Sequence, residues 1–173
     1  MRRNVRQDMV DLEQLLAGLV RHEVEFVVIG GVAAVAHGSA YVTYDLDFCY
    51  SRDAANLQKL VAVFGPLNPQ LRDAPQDLPF FWDLKTLQRG MNFTLKTDLG
   101  DVDLLGEVAG VGTFAQVLAA SVQVELFGLP CAVISLAGLI AAKRAAGRPK
   151  DQLILPELEA LREALEDGED TAQ

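Results

Sequence analysis

The sequence predicts an α/β (α+β) fold, with a mixed central sheet of about five strands flanked by helices and followed by C-terminal helices. Short apolar runs bounded by turn residues indicate the strands, and apolar residues at helical spacing between those runs indicate the helices. The chain has 173 residues, half of them hydrophobic, which is enough for one buried core. We expect that core over residues 8–134, a helical segment over 135–167 packed on it, and a disordered tail over 168–173.

Composition and charge exclude several classes of protein. The formal charge of −9 argues against long duplex DNA as a partner, because that affinity comes from many cations that neutralise phosphates. The apolar runs are too short to span a membrane. Cys49 and Cys131 lie in apolar runs without the spacing of metal ligands, which predicts buried free thiols. We therefore expect a soluble, cytoplasmic protein.

The outer elements follow from caps and periodicity. A first helix starts at Asp8 or Asp11, and a hairpin over 122–134 carries Pro130, which favours an edge position for its second strand. Ser135 caps a helix that ends at Gly147. The other predicted elements are a strand at 25–29, a helix at 52–64, strands at 92–97 and 101–105, a Gly-rich connection running into a helix over 108–120, and a last helix at 151–166 that Pro156 kinks or restarts.

Residues 65–83 contain four prolines and are predicted to form an ordered loop. The loop ends in the densest aromatic cluster of the chain, Phe80, Phe81 and Trp82. This cluster has two interpretations, a plug over the core or a platform on which bases stack. The plug is favoured, because exposed stacking aromatics are uncommon outside nucleic-acid sites.

The stretch from Phe26 to Tyr50 carries the first candidate site. Asp45 and Asp47 are two residues apart on a predicted strand, so they share one face about 6 to 7 Å apart, a spacing that suits a divalent metal ion. Gly30 and Gly31 permit a tight turn before a short helix, whose first N–H groups favour an anion such as a triphosphate. The glycines alone would also fit an ordinary tight turn.

A third acid is expected to complete the metal site. Asp103 lies in mid-strand between apolar residues, where a carboxylate is costly unless it is paired or metal-bound. Asp101 is on the same face but nearer the turn, so we expect solvent around it. Oxygen ligands of this kind suit Mg²⁺.

The two glycines, the Asp45-Leu46-Asp47-Phe48 stretch and the Val102–Leu105 strand together resemble the DNA polymerase beta-like nucleotidyltransferase superfamily. Within it, the chain is similar to the minimal bacterial branch of abortive-infection (AbiEii-type) and toxin–antitoxin nucleotidyltransferases. Lys143 and the run 146–151, AGRPKD, resemble the C-terminal Lys and Arg-x-Lys-Asp pattern of that branch. The similarity covers about residues 10–165.

The resemblance implies a nucleotidyltransferase that moves a nucleoside monophosphate from a triphosphate such as ATP to a hydroxyl and releases pyrophosphate. It implies Mg²⁺ or Mn²⁺ as cofactor. The catalytic and metal-binding residues implied are Asp45, Asp47 and Asp103, and the nucleotide-binding residues implied are Gly30, Gly31, Thr43, Lys143, Arg148 and Lys150.

Three hypotheses about function stay open. The chain is an enzyme whose acceptor is an RNA 3′ end, a protein side chain or a small molecule; a nucleotide-binding module without chemistry; or a toxin that pairs with an antitoxin. Retention of all three acids favours the enzyme. Tyr41 stands where many relatives carry Arg, which leaves the choice of substrate open. Lys143 either contacts phosphate or lies on an exposed helix face.

Overall fold

A computed structural model describes residues 10–171 and has the predicted mixed α/β architecture. The predicted start of the core at residue 8 and the last two residues of the predicted tail lie outside this range. The elements in chain order are α1 (Leu12–Arg21), β1 (Phe26–Ile29), α2 (Gly30–Ala36), β2 (Asp45–Tyr50), α3 (Ala54–Phe64), β3 (Gln70–Leu71), α4 (Leu84–Arg89), β4 (Asn92–Thr97), β5 (Gly100–Leu105), β6 (Glu107–Val108), β7 (Gly112–Thr113), α5 (Phe114–Ala119), β8 (Ser121–Leu126), β9 (Leu129–Ile134), α6 (Leu136–Ala146) and α7 (Pro149–Asp170).

Seven strands form the central sheet, in the order β3-β4-β5-β2-β1-β9-β8. This is more than the predicted number of about five, and the strand that was not predicted is β3, which lies in the segment expected to be a loop. Strand β2 runs parallel to β5 and antiparallel to β1, and β1 runs parallel to β9. The sheet is therefore mixed, as predicted.

Apolar side chains from the helices and the sheet form one core. Strand β1 is buried along its whole length, and Leu15, Leu16 and Leu19 of α1 are almost completely buried. Asp11 caps α1 by accepting a hydrogen bond from the backbone N–H of Gln14 at 3.1 Å. Of the two caps considered for this helix, Asp11 is the one observed.

Pro130 does not place β9 at an edge, contrary to the prediction. β9 lies inside the sheet and β8 is the outer strand. β9 pairs with β1 at Val133, which lies opposite Val28 and three residues beyond the proline. The backbone N–H that Pro130 lacks is therefore not needed for that pairing.

The segment 65–83 is more regular than the predicted loop. Residues 65–67 form a single 3-10 turn, and the proline-free residues after Pro69 form β3, which pairs antiparallel with β4. Strand β3 matters for the site, because Arg72 continues its pairing by donating its backbone N–H to the carbonyl of Thr94 at 2.9 Å.

Side chains of the C-terminal helices α6 and α7 pack against the core. Ser135 caps α6 and Gly147 ends it in the left-handed conformation. Helix α7 is longer than predicted: it contains Pro156 without interruption and extends to Asp170. The predicted disorder from residue 168 is wrong as far as Asp170: an existing helix gains a backbone hydrogen bond with each added residue, and no proline follows Pro156 to remove one. No helix within residues 10–171 is long and apolar enough to cross a membrane.

Candidate active site

Strand pairing brings the three predicted acids together. The parallel register of β2 and β5 sets Asp45 beside Asp101 and Asp47 beside Asp103. Neighbouring strands lie about 4.8 Å apart, so paired residues on one face have their carboxylates close together. One carboxylate oxygen from each of Asp45, Asp47 and Asp103 lies within 4.8 Å of the other two. The predicted convergence is present.

The environment of Asp47 is unfavourable for a negative charge. Its Oδ1 is buried and has no hydrogen-bond partner within residues 10–171. Burial, followed by the charges of Asp45 and Asp103, raises the pKa of Asp47 to about 8. A buried carboxylate oxygen without a donor is rare in folded proteins unless a ligand or ion satisfies it.

These three residues fit a hard divalent cation. They offer clustered carboxylate oxygens, which are the ligands that Mg²⁺ and Mn²⁺ prefer. Asp47 also has a buried carboxylate oxygen without a hydrogen-bond partner within residues 10–171, and a bound cation would stabilise the charge of this carboxylate. We therefore infer that Asp45, Asp47 and Asp103 can hold such an ion.

The two glycines lie against this cluster. Strand β1 pairs with β2 so that Ile29 faces Asp47, and Gly30 follows with φ of +65°. A methyl group on Gly30 would overlap the carboxylate of Asp47, and one on Gly31 would come within 2.7 Å of the Thr43 hydroxyl. Both positions therefore require glycine for reasons of space, and Gly30 also for its backbone conformation.

A cavity of about 240 Å³ opens over the acids. All the predicted site residues except Gly30 line it, together with Tyr41, Thr94, Leu105 and Ile154. The loop before β2 forms one wall, where the Thr43 hydroxyl donates to the backbone carbonyl of Asp45 at 3.0 Å. The predicted residues thus form one site rather than several.

Asp151, on α7, organises the cations of this cavity. It is completely buried and accepts hydrogen bonds from Lys143 Nζ at 3.0 Å and Arg148 Nε at 2.7 Å. Burial alone would raise its pKa, but the bonds from Arg148 and Lys143 outweigh burial and lower it. Lys143 therefore does not lie on an exposed helix face: it is held at the cavity by a buried counter-ion. Lys150 lines the same cavity from an exposed position.

Arg72 is a site residue that the sequence analysis missed. It pairs with Asp103 at 2.5 Å and with Asp101 at 3.2 Å. Burial raises the pKa of Asp103 and the charge of Arg72 opposes that rise. Asp101, expected to be solvated, is half-exposed and bound to Arg72. The sequence contains only a weak signal for Arg72, which lies two positions after Gln70 in a segment whose prolines suggested a loop.

The mixed sheet, the glycine turn and the acids of adjacent parallel strands define a nucleotidyltransferase-type fold, and solved structures share it. A protein of Thermotoga maritima assigned as a nucleotidyltransferase superposes with a TM-score of 0.55 at 16% identity, over 95% of this chain and 99% of that one.

Two structures of antibiotic-modifying enzymes are also similar. The lincosamide adenylyltransferase LnuA, in a lincomycin-bound structure, gives a TM-score of 0.58 at 14% identity, covering 88% of this chain and 99% of its own. ANT(2″)-Ia, in complex with adenylyl-2″-tobramycin, gives 0.53 at 16% identity, covering 90% and 95%. No family model and no curated protein matches the sequence. The likeness establishes the fold.

Proposed function

We propose that this chain is a metal-dependent nucleotidyltransferase, which moves a nucleoside monophosphate from a nucleoside triphosphate to a hydroxyl acceptor and releases pyrophosphate. One observation carries the proposal. On a fold shared with adenylyltransferases, Asp45, Asp47 and Asp103 cluster at a cavity also lined by Lys143, Arg148 and Lys150, and Asp47 has a buried carboxylate oxygen without a partner within residues 10–171. An ion pair with a purely structural role needs neither a third acid nor a buried carboxylate oxygen without a partner.

Each group has a role in the proposed transfer. The acceptor oxygen forms a bond to the α-phosphorus, the bond from that phosphorus to the β-phosphate oxygen breaks, and the hydroxyl proton passes to the carboxylate of Asp103. Burial raises the pKa of Asp103 above that of an ordinary aspartate, which makes its carboxylate a stronger proton acceptor. Lys143 and Arg148 offset the charge that develops on the pyrophosphate. Mg²⁺ or Mn²⁺ held by Asp45, Asp47 and Asp103 supplies further charge neutralisation.

The nucleotide is proposed to be ATP, bound by Gly30, Gly31, Thr43, Lys143, Arg148 and Lys150. Gly31 and Thr43 line the same cavity as Lys143 of α6 and Lys150 of α7, which supports a triphosphate bound by both backbone amides and cations. The two similar adenylyltransferases favour the adenine nucleotide.

The acceptor is proposed to be a hydroxyl compound. An RNA 3′ end, a protein side chain and a small molecule are the alternatives that the sequence left open. The similar structures favour a small molecule, because one is bound to lincomycin and another to adenylyl-2″-tobramycin. An antitoxin partner, and membership of the abortive-infection branch, rest on the motif at Lys143 and 146–151 alone.

The proposal is tested by label transfer and nucleotide binding. Purified full chain is incubated with each α-labelled nucleoside triphosphate and Mg²⁺ or Mn²⁺, with and without a small-molecule extract or total RNA. Binding of Mg²⁺–ATP is followed in parallel by calorimetry. We expect metal-dependent binding, and transfer that Asp47→Ala abolishes.

Asp98→Ala is the matched control, since Asp98 is an exposed aspartate in the β4–β5 turn. It should leave both binding and transfer at the level of the unmodified chain. Equal transfer by the Asp47→Ala variant, or ATP binding that EDTA does not affect, would contradict the metal-dependent mechanism.

A further inference from the structure

A second cavity, of about 450 Å³, adjoins the candidate active site. It lies between β3, β4 and the segment 72–80, and it is larger than the cavity over the acids. Its polar lining residues are Gln70, Arg72, Asp73, Gln76 and Lys96, and its apolar lining residues are Leu71, Ala74, Pro75, Leu78 and Phe80. Its volume is in the range of cavities that take small organic ligands.

The two cavities lie side by side on one face of the sheet. Thr94 lines the cavity over the acids, and Lys96, two residues further along β4, lines the second one. Residues two apart on a strand share a face and are about 6.6 Å apart. Arg72 lines the second cavity and is bonded to Asp103, which lines the first. A molecule of modest size in the second cavity would therefore reach Asp103.

We propose that this second cavity binds the hydroxyl acceptor, an inference that rests on the proposed function. Of the cations proposed for the triphosphate, Lys143 lies on α6 and Arg148 caps the start of α7. Asp103 lies beside β4, and its partner Arg72 directly follows β3. An acceptor in the second cavity approaches the α-phosphorus from the side of Asp103, the residue assigned to take its proton. Nucleotide and acceptor then occupy different cavities that meet at the acids.

The charge of the second cavity selects the class of acceptor. The cations Arg72 and Lys96 line the cavity with Asp73, and Arg72 also pairs with Asp101 and Asp103, so neither sign of charge is in large excess. A polycation would need an excess of acids, and a polyanion such as RNA would need an excess of cations. Balanced charge, two Gln amides and an apolar wall suit a small polyhydroxyl molecule of low net charge.

Arg72 has a positioning role in this arrangement. Its fork bonds both acids of β5 and restricts the orientation of Asp103 toward the acceptor. The backbone N–H of Arg72 bonds to Thr94 of β4, and its guanidinium is held by Asp101 and Asp103. Arg72 therefore links the second cavity, which it lines, to the acid proposed to take the proton.

The test measures adenylyl transfer from α-labelled ATP to four defined probes: methyl glucoside, adenosine, tobramycin and a short RNA oligonucleotide. The variant Ala74→Trp places a large side chain in the second cavity, and Lys96→Glu makes that cavity acidic. The control Lys85→Glu makes the same charge change at an exposed residue of α4 outside the cavity. Melting temperatures establish that each variant is folded.

We expect transfer to methyl glucoside or adenosine. Ala74→Trp should raise the KM for that acceptor by about tenfold or more while the KM for ATP stays the same, since removing room in a pocket changes only what binds there. Lys96→Glu should shift preference toward tobramycin, and Lys85→Glu should change neither constant.

Three results would overturn the inference. They are an unchanged acceptor KM in both cavity variants, transfer confined to RNA or tobramycin in the unmodified chain, and no transfer to any probe combined with no saturation-transfer NMR signal for methyl glucoside. Intact Mg²⁺–ATP binding in that last case confines the failure to the acceptor inference. If the unmodified chain does not bind Mg²⁺–ATP, the result would instead contradict the proposed function.

Discussion

At the scale of residues, the candidate site concentrates groups that oppose folding. Asp47 carries a buried oxygen without a partner and stands beside two further carboxylates. Asp151 is fully buried, but both of its carboxylate oxygens accept hydrogen bonds, one from Lys143 and one from Arg148. The first acid costs stability when it is charged, and the second contributes stability. Each difference leads to a measurable effect.

The stability of the metal-free protein should fall as pH rises from about 4 to about 8. The pKa of Asp47 is about 8 in the folded chain, whereas an unfolded aspartate titrates near about 3.9. Between those values the folded state holds a proton that the unfolded state has lost, so the free energy of unfolding decreases by up to about 1.4 kcal/mol per pH unit. Unfolding in EDTA across this range, compared with Asp47→Asn, measures the effect.

The Asp47→Asn variant cannot titrate at this position, so its curve should lack this component of the slope. Its advantage in stability over the unmodified chain should therefore grow toward pH 8 and disappear near pH 4. Parallel curves for the two proteins would mean that Asp47 does not hold a proton in the folded state.

Removal of the charge at Asp151 should destabilise the fold and weaken triphosphate binding. Asp151→Asn leaves Lys143, which is itself mostly buried, without its counter-ion. Loss of one partner of a buried pair costs about 3 to 5 kcal/mol. Urea unfolding measures the loss, and titration with Mg²⁺–ATP measures the change in affinity.

Glu159→Gln provides the comparison for Asp151→Asn. It breaks the ion pair with Arg144, in which both side chains are exposed to solvent. Such pairs contribute less than about 1 kcal/mol. If the two variants lose similar amounts of unfolding free energy, the burial of Asp151 does not strengthen its interaction with Lys143 and Arg148.

At the scale of elements, the segment 72–83 connects the second cavity to the core. Trp82 packs against the core residues Phe64 and Phe93, with ring centroids 5.9 Å away in each case, whereas Phe81 is 70% exposed. The plug predicted from the sequence is therefore present, and its anchor is Trp82. Phe80 joins it at 6.4 Å from Trp82 and also lines the cavity.

The plug predicts different effects at adjacent residues. Trp82→Ala should cost somewhat less than the about 3 to 5 kcal/mol lost at a fully buried aromatic residue, because Trp82 is partly buried against the core. Phe81→Ala should change stability by less than about 0.5 kcal/mol, as exposed positions usually do. Denaturant unfolding measures both. Equal losses, or an effect of Phe81→Ala on RNA binding alone, would favour the stacking platform instead.

Much of the site was predictable because its signals are local or follow from strand alternation. Asp45 and Asp47 share a face by period alone, and Ser135 and Gly147 mark the ends of α6 by their own chemistry. Arg72 was not predictable, since its partner Asp103 is 31 residues away and the two-residue strand that positions it lies among prolines. The interior place of β9 likewise depends on which strands meet, and Pro130 gave no information about that.

At the scale of the whole molecule, the C-terminal helices are part of the core. The segment 135–167 supplies five buried apolar side chains: Leu136, Leu139, Ile140, Ile154 and Leu158. At about 2 kcal/mol each, their burial contributes about 10 kcal/mol, which is comparable with the whole stability of an ordinary domain. The segment also carries the cations Lys143, Arg148 and Lys150 of the active-site cavity.

A chain truncated after residue 134 should therefore not fold cooperatively, whereas one truncated after residue 167 should retain the stability of the full chain. The described residues removed by the second truncation are all exposed. Circular dichroism and thermal unfolding of the two truncated chains make the comparison. A cooperative transition in the shorter chain would make residues 8–134 an independent domain.

The crowded acids also bear on how such a protein would change over generations. A lineage with no further need for the proposed chemistry would become more stable by replacing Asp47 with an uncharged residue of similar size. A carboxylate at this position, next to Asp45 and Asp103, lowers stability, and the proposed chemistry is the benefit that would offset this cost. Inactive descendants of this chain should be recognisable by loss of this aspartate first.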